Sequence, residues 1–176
     1  MQKNISKKYT SILILIFIFS LPFFAAFYLF SHPDLLRYFS STNYGKWAPK
    51  MTWQFNEKQA RPWQLVYWHE SACSTDCIEQ LDRLGRIRLA MGRKVYNLDI
   101  ILLQPEGTIV SKELQKQLQE WNMYYQTIPS QQIDIWNQKF KDYPIVLFDE
   151  KHQSILMYPL NLDSKKAYHD LQVLVK

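Results

Sequence analysis

Cys73 and Cys77 are the only cysteines in the chain, four residues apart in the run Trp68-His69-Glu70-Ser71-Ala72-Cys73-Ser74-Thr75-Asp76-Cys77. Two thiols in one loop support disulfide exchange or the ligation of a soft ion such as Cu(I). An inert structural bridge is the alternative. It would close a very small loop and add little stability, which favours a working pair. In one continuous helix, residues four apart point their Cβ atoms in near-parallel directions. A bridge therefore closes easily only if the helix starts inside the motif, with Ser74 or Thr75 as cap. Backbone N–H groups at that helix start would stabilise a thiolate, while Glu70 and Asp76 push the thiol pKa the other way. His69 precedes Cys73 by four residues and is a candidate third copper ligand or proton donor, or else a solvated loop residue. His152 and His169 read as surface residues. Nothing resembles a Ser-His-Asp triad, a phosphate loop or a zinc cluster.

The elements that must position the thiols alternate in pattern. Trp63–Trp68 reads as a strand. Ile78, Leu81, Leu84, Ile87 and Met91 mark one face of a helix from about Asp76 to Gly92. Val95 to Leu103 reads as a buried strand closed by the turn Pro105-Glu106-Gly107. A helix is expected over Lys112–Trp121, a short apolar stretch over Tyr124–Ile128, and a second helix from Ser130 to about Phe140. Pro144 to Phe148 and Ser154 to Tyr158 form a hairpin about the turn Asp149–Gln153. Asp163 or Ser164 caps a last helix with Ala167, Leu171 and Leu174 inward. The order β-α-β-α-(α)-β-β-α, with thiols between the first strand and first helix, is the thioredoxin arrangement: an α/β fold with a central mixed sheet flanked by helices. Arg83, Arg86, Arg88, Arg93 and Lys94 read as a solvated helix face; docking of an acidic partner or lipid headgroups is the alternative.

Ser11 to Phe30 is almost wholly apolar, and about twenty such residues cross a bilayer core. Pro22 is tolerated in a membrane helix. Lys3, Lys7 and Lys8 precede the span without an offsetting acid, which keeps the N-terminus cytoplasmic. A cleaved signal peptide is the rival, but the stretch is long and no small-x-small site follows it. The expected organisation is a cytoplasmic tail at 1–10, a transmembrane helix at 11–30, a membrane-proximal connector at 31–61 and a thioredoxin-like domain at 62–176. Pro33 and Pro49 interrupt the connector, whose Trp47, Trp53 and Phe55 are expected to pack partly on the domain. The domain then faces the periplasm from a bacterial inner membrane, where disulfides persist. Lys3, Lys7 and Lys8 account for three of the 21 basic residues, so the remainder, 18 basic against 16 acidic, is near neutral. That balance carries no nucleic-acid footprint.

Three stretches carry a family resemblance: the C-x3-C of Cys73–Cys77, the segment Leu81-Asp-Arg-Leu-Gly-Arg-Ile-Arg-Leu-Ala-Met-Gly92, and the hairpin Pro144-Ile-Val-Leu-Phe-Asp-Glu-Lys-His-Gln-Ser-Ile-Leu-Met-Tyr-Pro159. Together with the anchor they make the chain resemble membrane-anchored, thioredoxin-like proteins of the SCO type, which deliver copper to cytochrome c oxidase. The resemblance implies copper handling at Cys73 and Cys77, and two thiolates favour Cu(I). It implies oxidase subunits or other copper and thiol assembly factors as partners. One feature departs from the family. Its copper-binding histidine ahead of the hairpin is replaced by Lys141-Asp142-Tyr143-Pro144, and Pro144 resembles the cis-proline that faces the cysteines in thioredoxin-like folds. Two other functions are open: a general thiol–disulfide oxidoreductase in which Cys73 attacks and Cys77 resolves, and a non-catalytic interaction module.

Overall fold

The computed structural model describes residues 3–31, 43–55 and 61–176 of the chain. Residues 32–42 and 56–60 of the expected connector, His32 and Pro33 among them, lie outside the described residues. The chain divides into two units, Met1–Thr42 and Asn43–Lys176. In the first, helix α1 (Lys3–Ser31) runs through Pro22 without interruption. Its stretch Ile14–Ser31 is long and apolar enough to cross a membrane. Phe17, Phe23, Phe27 and Phe30 are all exposed, so apolar surface is not gathered on one core-facing stripe. The hydroxyls of Ser20 and Ser31 donate to the carbonyls of Phe17 and Phe27 at 3.0 and 2.9 Å. These two serine hydroxyls are thus satisfied within the helix, as a hydrocarbon surrounding requires.

The second unit is a mixed sheet between two helical layers. In chain order its elements are β1 (Lys46–Trp47), β2 (Trp63–Trp68), α2 (Thr75–Ala90), a 3-10 segment (Gly92–Asn97), β3 (Leu98–Pro105), α3 (Lys112–Glu120), β4 (Tyr124–Ile128), α4 (Ser130–Phe140), β5 (Ile145–Phe148), β6 (Ser154–Tyr158) and α5 (Ser164–Leu174). The strands lie in the order β1-β6-β5-β2-β3-β4. β2, β3 and β4 are parallel, while β5 runs antiparallel to both β2 and β6. Strand alternation divides the core in two. Leu65, Tyr67, Ile100, Leu102, Ile145 and Leu147 meet Leu81 and Leu84 of α2 and Leu171 of α5. Val66, Trp68, Ile101, Leu103, Val146 and Phe148 meet Trp136 and Phe140 of α4. All six residues of β2 are buried, as expected for a strand covered on both faces.

Part of the expected connector joins this unit. β1 pairs with β6, and Thr52 bridges Gln153. Trp53 meets the Trp136 ring edge-on at 5.2 Å, and Phe55 meets Phe148 at 5.3 Å. Two sequence expectations are corrected. Val95–Asn97 is the end of the 3-10 segment rather than the start of β3, because the Val95 carbonyl accepts from the guanidinium groups of Arg61 at 3.3 Å and Arg88 at 3.5 Å. Arg88 is not part of a solvated face: it is only 4% exposed, and it donates to the carbonyls of Leu98 at 2.9 Å and Asn122 at 3.0 Å. A buried guanidinium is tolerated when its N–H groups are matched in this way.

Candidate functional site

β2 ends at the sheet edge where the thiol loop begins. The ladder extends slightly beyond it, with the Trp68 N–H donating to Pro144 at 2.8 Å and the His69 N–H to Leu103 at 3.0 Å. The loop then leads to Ser74, whose extended backbone caps α2 at Thr75. This start splits the motif, leaving Cys73 before the helix and Cys77 in its first turn. The Cα atoms are 5.2 Å apart and the sulfurs form a disulfide, a separation within the usual bridged range of about 4.4–6.8 Å. Cys77 is wholly buried in the core cluster that holds Tyr67 and Leu81, whereas Cys73 packs at its margin and stays partly exposed. A nucleophile from solution reaches Cys73 first.

Around the loop lies a small polar network. The Tyr67 hydroxyl is 3.4 Å from His69 Nδ1, and the Ser71 hydroxyl is 3.3 Å from His69 Nε2. Burial holds the His69 pKa below the ordinary imidazole range, against a raising contact with the Ala72 backbone. A neutral ring accepts at one nitrogen and donates at the other, which suits two hydroxyl neighbours. Burial, with the Asp76 charge second, pushes the Tyr67 phenol up to about 12. The fully buried Gln104 donates its amide N–H to the Ser71 carbonyl, tying the loop to β3.

Among the described residues, no three of His, Cys, Asp and Glu are grouped so as to hold a metal ion. Cys73 and Cys77 are brought together, while the His69 ring is engaged by hydroxyls. His152 sits in the β5–β6 turn with a positive φ of 57°, its ring 5.2 Å from Phe55. His169 is exposed on α5. The expected cis bond before Pro144 is corrected, since no peptide bond among the described residues is cis. The Pro144 carbonyl instead accepts the Trp68 N–H and so belongs to the strand ladder. Sequence reasoning missed Tyr67 and Gln104. Their signals were a phenol two residues before His69 and a lone amide at the end of an apolar strand.

The sequence model for the transmembrane-like, thioredoxin-like, C-terminal domain matches residues 63–176. The chain belongs to that family. Its fold is also that of solved Sco proteins. Yeast Sco1 with copper bound is 16% identical, with a TM-score of 0.51 over 75% of this chain and 92% of that one. A SCO1/SenC family lipoprotein from Bacillus anthracis is 9% identical, with a TM-score of 0.52 over 77% of this chain and 99% of that one. Arabidopsis thaliana ScoI with copper bound is 12% identical, with a TM-score of 0.51 over 73% of this chain and 97% of that one. At these identities the likeness is one of fold. No curated protein matches the chain in sequence. In this thioredoxin-like domain, then, the dithiol occupies the turn from the first core strand to the first core helix, with one sulfur-bearing residue accessible and one buried.

Proposed function

We propose that the chain is a membrane-anchored, periplasm-facing dithiol protein that handles copper, or the thiols of a copper site, during cytochrome c oxidase assembly. The observation that carries this reading is the Cys73–Cys77 pair itself, bridged at a helix start with Cys73 partly exposed and Cys77 buried. The Sco-like fold and the apolar α1 support it. In the reduced form, the Cys73 thiolate attacks one sulfur of a client disulfide and releases one client thiolate. The Cys77 thiolate then attacks the Cys73 sulfur of the mixed disulfide and releases the second. The client gains two electrons and two protons, and the chain is left oxidised until another dithiol reduces it. Copper enters as cargo. Two thiolates suit two-coordinate Cu(I), whereas Cu(II) needs a nitrogen ligand that the engaged His69 ring does not offer.

The test is a redox titration with thiol alkylation and mass spectrometry, run beside anaerobic Cu(I) and Cu(II) titrations of wild type, Cys73→Ser and His69→Ala. A reversible intramolecular bridge is expected, with Cu(I) binding lost in Cys73→Ser and little changed in His69→Ala. Only intermolecular links on oxidation would remove the redox reading. Tight Cu(II) binding that disappears in His69→Ala would show that the histidine is a ligand after all. A general thiol–disulfide oxidoreductase is the second reading, favoured by the closed bridge; it is distinguished by exchange with unrelated disulfide substrates and no Cu(I) binding.

A further inference from the structure

β4 is an edge strand with Tyr-Tyr-Gln-Thr-Ile as its sequence, and no charged residue lies between Trp121 and Ile133. Natural sheets usually blunt such an edge with lysine, proline or a covering element. The Ile128 carbonyl turns toward β3, accepting from the Glu106 N–H at 2.8 Å. Strand alternation therefore leaves the N–H and C=O groups of Tyr125 and Thr127 facing outward, without a strand partner among the described residues. Beside this edge is a groove of about 490 Å³, lined by Trp53, Gln54, Gln126, Thr127 and Gln132 among others, none of them charged. Three buried polar atoms at it have no partner among the described residues: the Trp53 Nε1–H donor and the Gln126 and Gln132 Oε1 acceptors. Gln126 is 9% exposed. Unpaired buried polar groups are costly, and here they share one cavity beside one open strand.

We propose that β4 and this groove form a docking site for an extended segment of a client protein, which adds to the sheet as a further strand and places a carboxamide side chain, Asn or Gln, in the groove. The edge supplies main-chain pairing and the groove supplies selectivity, the division of labour seen wherever a peptide augments a sheet. A carboxamide brings two N–H donors for the two glutamine oxygens and one carbonyl for the Trp53 indole. A charged side chain would find no counter-charge in the lining. Thr127 lies in register with Gln104, whose amide holds the Ser71 carbonyl of the thiol loop. The docked strand is thus two sheet positions beyond β3, the strand that anchors the thiol loop. Binding here requires no free thiol, so it is measured on the oxidised chain and stands or falls apart from the proposed thiol chemistry.

The experiment pans the full-length, oxidised chain in nanodiscs against a phage-displayed library of random nine-residue peptides. Selected peptides are then synthesised for Kd and hydrogen-exchange measurements. The expected result is a shared Asn or Gln between β-branched residues and slowed exchange at Tyr125 and Thr127. Affinity should weaken at least tenfold in both Thr127→Pro and Gln126→Leu. Proline is tolerated on an edge strand. If Thr127→Pro melts early, Gln126→Leu and Gln132→Leu carry the comparison. The inference is overturned if no peptide is enriched over panning on a variant chain, or if protection falls elsewhere. It is equally overturned if light scattering shows a dimer that Thr127→Pro dissolves.

Discussion

His69 is held among hydroxyls by a half-buried site that disfavours its charged form, so its folded-state pKa lies below the ordinary value of 6.5. Between that lowered value and 6.5 the unfolded chain binds more protons than the folded one. Stability is therefore lost as pH falls through this window and levels off below the folded pKa. His69→Gln keeps a polar side chain but removes the titration. Urea midpoints at pH 7.5 and pH 5 should fall further apart in wild type than in His69→Gln; equal gaps would show that the imidazole does not titrate differently on folding. The same reasoning separates the two cysteines. Cys77 lies in the core and Cys73 at its margin, so only one sulfur is open to a partner without local unfolding. Tyr67, held protonated by burial, adds no charge beside either.

At the scale of elements, α5 does more than cover the sheet. Its Asp170 carboxylate is fully buried and accepts from the Tyr44 N–H at 3.0 Å, the Gly45 N–H at 2.8 Å and the Tyr158 hydroxyl at 3.2 Å. A Cβ on Gly45 would lie 2.6 Å from the Tyr158 ring, so only glycine lets the chain approach this closely. Hydrogen bonds to a buried charge contribute about 1.5–3 kcal/mol each, and losing the acceptor strands its donors. Asp170→Ala should cost about 3 kcal/mol in chemical denaturation and raise hydrogen exchange at Tyr44 and Gly45; a loss below about 1 kcal/mol would mean that water replaces the carboxylate. The sequence showed where α5 begins, at an Asp163 side chain that accepts from Lys165 and Lys166. It also showed its apolar stripe, but nothing in that pattern singles out Asp170 beside it. Two of its three partners, Tyr44 and Gly45, lie more than a hundred residues away, and periodicity has no access to such pairings. The thiol loop was legible for the opposite reason. Strand, cap, cysteines and helix are contiguous there, so local rules placed them. Arg88 and the start of β3 escaped because a guanidinium seeking carbonyls overrides helix-face logic.

At the scale of the molecule, the chain joins an apolar helix able to cross a membrane to a unit whose only cysteines form a disulfide. These two features constrain each other through compartment. A disulfide of this kind persists where the surroundings are oxidising, and the cytosol keeps thiols reduced. Lys3, Lys7 and Lys8 lie before the span, and no acidic residue precedes it to offset them. Positive flanks stay on the cytoplasmic side, so charge placement and thiol chemistry both support the proposed placement of the C-terminal unit across the membrane. The prediction is that alkaline phosphatase fused after Lys176 is active, and that a fluorescent protein which folds only in the cytoplasm stays dark at the same position. Replacing Lys3, Lys7 and Lys8 with Glu should lower phosphatase activity several-fold by releasing the orientation. An inactive phosphatase with a bright cytoplasmic reporter would overturn this topology. It would also leave the Cys73–Cys77 bridge in a reducing compartment, where a standing disulfide is not expected and only a transient redox role fits.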